Sequence, residues 1–322
     1  MMKALEILKI LADGEFHSGQ AIGEQLGITR TSIWNHIKGI EAYGYNVDSL
    51  PGKGYRISGG TNLLDVDALE AAFPNLKNLM VFSEIDSTNQ YLLDNCQSFN
   101  DTPVVCLAEY QRAGKARRGR KWESPFGKNL YCSVAYQFET GVNAIAGLSL
   151  AIGVVVAQTL EHFGLQNVQL KWPNDVYVNG KKVVGILVEF LGEVTGPCDV
   201  VVGVGININK PQQDYAINQD WTCMETALGQ SVDRTAFSCY FLQQLLQALD
   251  TFKAEGFAAF HQQWQHYDCL IGKEINAEKQ NKSFTAKVLG LDNQGNLIVS
   301  TKQGETALTG GEVSVRPVKS KI

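Results

Sequence analysis

The chain lacks the marks of several large protein classes. Its seven cysteines are scattered, odd in number and never spaced as C-x-x-C. That argues against a disulfide scaffold and a metal site, and for reduced thiols in a cytoplasmic protein. No apolar run reaches the ~20 residues that span a bilayer. The longest, 144–157, contains Gly147, Ser149 and Gly153 and reads as a buried helix. The opening Met1-Met2-Lys3-Ala4-Leu5-Glu6 has no signal-peptide apolar core. Positive charge is not in excess either. The net is −5, so there is no global electrostatic case for nucleic acid or an anionic membrane.

What remains is a globular chain. Its 322 residues suffice for two or three domains, and 44% hydrophobic residues suffice for a real core. Against the acidic background one stretch is distinct: Gln111-Arg112-Ala113-Gly114-Lys115-Ala116-Arg117-Arg118-Gly119-Arg120-Lys121-Trp122, with no acid in it. Gly114 and Gly119 permit positive φ, so the backbone can bend round a ligand. Guanidinium forks pair with carboxylate or phosphate through two bonds at once, and a flat ring suits a purine. The stretch reads as a nucleotide phosphate loop, or as a solvated basic surface loop.

A second stretch adds to it. Lys171-Trp172-Pro173-Asn174-Asp175 precedes two apolar runs separated by Asn179-Gly180, a strong hairpin signal. The hairpin places Asp175 near the start of one strand and Lys182 early on the return strand. A lysine on a strand that then turns wholly apolar points to a site role.

Residues 1–60 form a small unit. Leu5, Leu8 and Leu11 recur at helical spacing before Gly14. Ser18 and Thr29 are caps for a second and a third helix, separated by Gly27. Helix, tight turn, helix is the helix-turn-helix signature. Arg30, Thr31, Ser32, Asn35 and His36 then lie on the outer, N-terminal part of the recognition helix. Tyr45-Asn46-Val47 and Tyr55-Arg56-Ile57 flank Pro51-Gly52-Lys53-Gly54 as a wing with Lys53 at its tip. Six basic residues face six acids here, so non-specific phosphate attraction is weak. A protein-interaction module is the alternative.

After a linker at Gly59-Gly60-Thr61-Asn62, residues 63–270 mix strands and helices in an α/β (α+β) layered domain. Helices are expected over 145–163, 237–252 and 257–267. Gly203-Val204-Gly205-Ile206-Asn207 lies on a buried strand whose glycines leave room for a ligand, with Asn207 facing it. It is not a dinucleotide fingerprint, since Ile208 stands where the third glycine belongs. Residues 271–322 are short strands with turn punctuation, which make a small barrel.

Asp86-Ser87-Thr88-Asn89, the Gly/Arg loop, the segments 171–175 and 182–189, and Gly203-Val204-Gly205-Ile206-Asn207, in this order, resemble the bacterial biotin–protein ligases, specifically the bifunctional form that is also the biotin operon repressor. The resemblance covers essentially the whole chain. It implies a winged helix-turn-helix, a central mixed-sheet class II synthetase-like catalytic domain and a C-terminal SH3-like β-barrel, where Gly310-Gly311-Glu312 looks like the family motif. It implies ATP, Mg²⁺ and biotin, with biotinyl-5′-AMP as both intermediate and corepressor. The implied partners are a biotin carboxyl carrier protein, two-fold operator DNA and a second copy of the chain when adenylate is bound, with no membrane.

The implied roles follow residue by residue. Arg117, Lys182 and Asp175 are catalytic. Ser87, Thr88, Asn89, Gln111, Lys115, Ala116, Arg117, Lys182 and Gly185 bind biotin. Arg118, Arg120, Lys121, Trp122, Asn174 and Asn207 bind ATP or the adenylate. No protein-held metal is expected. The loop departs from the usual Gly-Arg-Gly at Gly114-Lys115-Ala116. Alanine at a position needing positive φ costs on the order of 1 kcal/mol, and lysine cannot bind bidentately, so looser adenylate retention is expected. Two rivals remain: a lipoate–protein ligase, whose Arg-Arg-x-x-Gly-Gly-Gly type motif is absent, and a non-enzymatic biotin-sensing repressor.

Overall fold

The computed structural model describes residues 2–95, 98–99, 102–139, 141, 145–192, 196–212, 215, 217, 219–279, 282–310 and 313–317. Gly311 and Glu312 of the C-terminal motif lie outside them. In the N-terminal unit, α1 (Met2–Ile10) runs into a 3-10 turn that ends on Gly14. Ser18 Oγ accepts from Ala21 N to start α2 (Gly19–Leu26), and Thr29 Oγ1 accepts from Ser32 N to start α3 (Arg30–Ile40). Each cap satisfies a backbone donor that the first turn leaves free. β1 (Val47–Leu50) and β2 (Gly54–Ile57) form the wing. Tyr45 does not join it. It is buried, and its hydroxyl donates to Phe126 O at 2.6 Å.

Phe126 belongs to the next domain in sequence yet sits fully buried in the core of this unit, with Ile7, Leu8, Ile22, Ile33 and Ile40. Tyr43 packs edge-on against it at 5.6 Å. The linker is likewise held on both sides: Thr61 N donates to Ala12 O, and Thr61 Oγ1 to Gly127 O. The N-terminal unit is therefore docked on the end of the basic loop.

The central sheet contains β3 (Asn78–Phe82), β4 (Val104–Ala108), β5 (Leu130–Phe138), β6 (Val168–Lys171), β7 (Asp175–Val178), β8 (Lys181–Gly192) and β9 (Cys198–Ile206). Their order is β3-β4-β5-β9-β8-β7-β6, parallel only between β3 and β4. Strand side chains alternate between two cores, as the pleat requires. Val104, Cys106, Ala135 and Val201 pack on one face with Leu92 of α4 (Thr88–Asn95). Val105, Leu107, Val134 and Val202 pack on the other, with α5 (Leu148–His162) and α6 (Arg234–Glu255). The segment expected as one helix over 257–267 divides into a 3-10 turn and a short helix, His261–Tyr267. Arg234 is fully buried; it donates to Glu109 Oε2 at 2.7 Å and to the carbonyls of Asn62 and Asn129.

The C-terminal strands β10 (Glu274–Lys279), β11 (Lys282–Leu291), β12 (Leu297–Thr301), β13 (Gly304–Leu308) and β14 (Val313–Pro317) form an antiparallel sheet in the order β13-β12-β11-β10-β14. Its inner residues, Ile275, Val288, Val299 and Val315 among them, join the central core. Among the described residues no helix is long and apolar enough to cross a membrane.

Candidate active site

The basic loop is itself a narrow hairpin. Trp122 N donates to Gly114 O and Ala116 N to Arg120 O, both at 2.8 Å. The positive φ values fall at its tip, on Gly119 (68°) as expected and on Arg118 (60°), and not on Gly114. Ala116 is extended at φ −132°, so the expected strain at this alanine is absent here. Gly114 is required for closeness: a Cβ there would stand 2.6 Å from Trp122 O.

Trp122 folds back onto the sheet. A Cβ at Gly185 would come within 2.7 Å of its indole, and one at Gly205 within 2.6 Å. At Gly203 a Cβ would overlap the Asn89 amide. The strand glycines thus make room for Trp122 and Asn89, not directly for a ligand as expected. Asn207 follows β9 and is tied to Asn129 and Thr222 by its side-chain amide.

Beneath the loop is a cleft of about 530 Å³. All nine residues assigned to biotin line it: Ser87, Thr88, Asn89, Gln111, Lys115, Ala116, Arg117, Lys182 and Gly185. Its floor is a buried polar network. Gln111 Oε1 accepts from Thr88 N at 2.9 Å. Ser133 Oγ lies 2.7 Å from Thr88 Oγ1 and 2.6 Å from Asn89 Oδ1. Asn89 Nδ2 donates to Glu189 at 2.9 Å. Ser133 and Glu189 were not assigned from sequence. The signal was there in Ser133, the one serine in the otherwise apolar run Leu130-Tyr131-Cys132-Ser133-Val134.

The Asn179-Gly180 hairpin forms as expected, with both residues left-handed (φ 50° and 74°). It brings Lys182 Nζ within 2.6 Å of Asp175 Oδ1, with Lys182 almost wholly buried. A bulge helps: the register moves from Tyr177↔Lys182 to Val176↔Val184. Val183 and Val184 then both enter the core.

Arg117 projects across the cleft. Nη1 donates to Asn174 Oδ1 at 2.8 Å and Nη2 to Gly310 O at 2.5 Å. Burial pushes its pKa below the usual guanidinium value, and nearby Asp175 opposes that shift; an arginine keeps its charge regardless. Lys115 donates to Gln90, and Arg120 to Arg117 O at 3.3 Å.

A second cleft of about 890 Å³ opens beyond Trp122. Arg120, Lys121, Trp122 and Asn207 line it, together with Ile217, Gln219 and Trp221, which the sequence reading missed. Trp221 is a ring in a polar stretch, and its neighbours bond to the backbone of Lys182. Asn174 lines the first cleft; Arg118 is not among the residues lining either. In the N-terminal unit Arg30, Thr31, Asn35 and Lys53 are exposed, while Ser32 and His36 are half-buried. Trp34, also unassigned, is exposed with Lys38 Nζ 3.7 Å from its ring centre.

Adjoining clefts under a cationic loop, one with a polar floor and one flanked by tryptophans, suit a nucleotide-dependent carboxylate-activating ligase, here carrying a helix-turn-helix unit. Comparison with known proteins narrows the class. The model of the biotin/lipoate A/B protein ligase family matches residues 81–207, that of an HTH domain 3–56, and that of the biotin protein ligase C-terminal domain 270–316. The chain is 39% identical to the bifunctional ligase/repressor BirA of Salmonella typhimurium over 97% of each chain. It is 29% identical to the Bacillus subtilis protein of that name over 91% of this chain. Biotin protein ligase from Aquifex aeolicus, solved in complex with biotin and ATP, superposes with a TM-score of 0.65 and 30% identity, covering 76% of this chain and all of that one. The chain belongs to the biotin protein ligases, in their bifunctional ligase/repressor branch.

Proposed function

We propose that the protein joins biotin to ATP as biotinyl-5′-AMP and passes biotin to a lysine of a biotin carboxyl carrier protein. The observation that carries this reading is the position of Arg117, half-buried between the polar-floored cleft and the loop cations. In the first step a biotin carboxylate oxygen attacks the α-phosphorus and pyrophosphate leaves. Two anions must meet, so fixed positive charge is the main catalytic need. Arg117 spans carboxylate and α-phosphate; Lys115, Arg118, Arg120 and Lys121 hold phosphate oxygens. Ser87, Thr88 and Asn89 receive the ureido ring, and Trp122 the adenine.

Lys182, fixed by Asp175, hydrogen-bonds the biotin carboxylate. In the second step Asp175 orients the incoming carrier amine, which attacks the acyl carbon and expels AMP. Among the described residues no group of three His, Cys, Asp or Glu side chains stands together. Mg²⁺ enters the reading with the triphosphate, whose oxygens and water suit it.

The same adenylate serves regulation. Among the described residues no strand pairs with β8 on its β7 side past Gly185, and Phe190 and Leu191 there are 46% and 43% exposed. An open strand edge invites pairing with another chain. In our reading the adenylate-bound protein dimerises, and paired recognition helices bind a two-fold operator in the cytoplasm. ATP–pyrophosphate exchange tests the enzyme: we expect it with biotin and not with lipoate. Exchange with lipoate alone would assign the rival ligase, and none with either would leave a non-enzymatic sensor.

A further inference from the structure

We propose that Asn174 and the main-chain carbonyl of Gly310 form a two-point clamp that positions Arg117 for adenylation. The proposal rests on the catalytic reading of Arg117 given above.

A long side chain on a glycine-hinged loop has many rotamers, and nothing local selects one. Arg117 is instead held from two distant places. Nη1 goes to Asn174 Oδ1 at 2.8 Å, just before β7, and Nη2 to Gly310 O at 2.5 Å, between β13 and β14. The Asn174 amide is oriented in turn, since its Nδ2 donates to Ile186 O of β8 at 2.8 Å. Flipping that amide would set NH₂ against the guanidinium, so the network fixes it. Both terminal nitrogens are thus registered to the central sheet and to the C-terminal sheet at once.

The chemistry of the acceptors is the second observation. Both are neutral. A carboxylate would orient Arg117 as well but would cancel the charge that the reacting anions need. The nearest candidate, Asp175, is engaged at 2.6 Å by Lys182. The clamp therefore fixes direction and leaves the field intact.

The third observation is how closely the two domains meet at this point. A Cβ on Gly310 would stand 3.1 Å from Pro173 Cβ, tighter than ordinary contact. Buried Trp172 donates from Nε1 to Gly295 O at 3.0 Å. The strip 172–174 therefore fastens the C-terminal sheet and holds Arg117 together. A side chain at 310 would push the carbonyl away from the guanidinium.

Misplacing a catalytic group by about 1 Å costs up to roughly 100-fold, which sets the scale. The test is a pair of double-mutant cycles on the full-length protein, read as kcat for biotin-dependent ATP–pyrophosphate exchange. Asn174→Ala and Gly310→Val should each lower kcat by about 10- to 100-fold. Neither should slow the enzyme further when Arg117→Ala is already present. Losses that multiply with Arg117→Ala overturn the clamp, because each group would then act independently. So does a loss confined to the KM for ATP, which marks Asn174 as a nucleotide ligand. If one variant fails to fold, the other cycle decides alone. Full activity in Arg117→Ala by itself would overturn the catalytic reading rather than the clamp.

Discussion

The cations of the N-terminal unit and those of the loop at 114–122 are partnered in opposite ways. In the first, Lys3 pairs with Glu6, Arg56 with Asp48, and His17 lies against Asp13. In the second, Arg117 leans on an amide and a carbonyl, Lys115 on an amide, and Arg120 on a carbonyl. Lys121 meets an acid, Glu123, only at 3.4 Å and outside the cleft floor. An acid partner cancels charge as it orients; a neutral acceptor only orients. The loop thus keeps its field for an incoming anion, while acids offset cations of the helical unit.

The contrast can be pressed hardest at a buried cation with an acid partner. Arg234 is fully buried against Glu109, so Arg234→Ala leaves an unpaired carboxylate and open carbonyls. The expected cost is about 3–5 kcal/mol of unfolding free energy, measured by urea denaturation. A loss under ~1 kcal/mol would mean that this pair is structurally idle. Neither residue lines either cleft, so biotin-dependent exchange should persist at temperatures where the variant is folded.

Removing an acid from the helical unit should move it toward the loop's behaviour. Asp48→Asn frees Arg56 on the wing. The slope of log affinity for operator DNA against log salt should steepen by about one. An unchanged slope would show that Arg56 does not reach a phosphate. The smallest effect is expected inside the loop. Lys115→Arg should slow adenylate release by a few-fold, on the order of 0.5–1 kcal/mol for one added charged hydrogen bond. Ala116→Gly should change nothing, since that residue is already extended. A slower release from Ala116→Gly alone would show that the loop adopts positive φ there once ligand is bound.

Much of the site was readable along the chain because its signals are local. Ser18 and Thr29 cap the helices named for them, as their hydroxyls lie three residues before a free N–H. Asn179-Gly180 can both take left-handed backbone, so the hairpin and the meeting of Lys182 with Asp175 follow from a short stretch. Gly119 takes positive φ as read, but Gly114 and the strand glycines were misread for a reason of the same kind. Sequence shows that glycine tolerates positive φ; it does not show whether a given glycine uses that freedom or merely its lack of a side chain. Gly114, Gly185, Gly203 and Gly205 use the latter, and what fills the space is distant in sequence.

The chain's own order of residues determined its helix ends, its hairpins, the alternation of its strands and the concentration of cations in one loop, because each depends on neighbours a few positions apart. Tertiary structure alone decided that Phe126 would complete the N-terminal core, that Trp122 would lie over two strand glycines, and that Gly310 would reach Arg117 across 193 positions. Those contacts arise from packing complementarity between separately formed surfaces. No local preference encodes which side chain meets which.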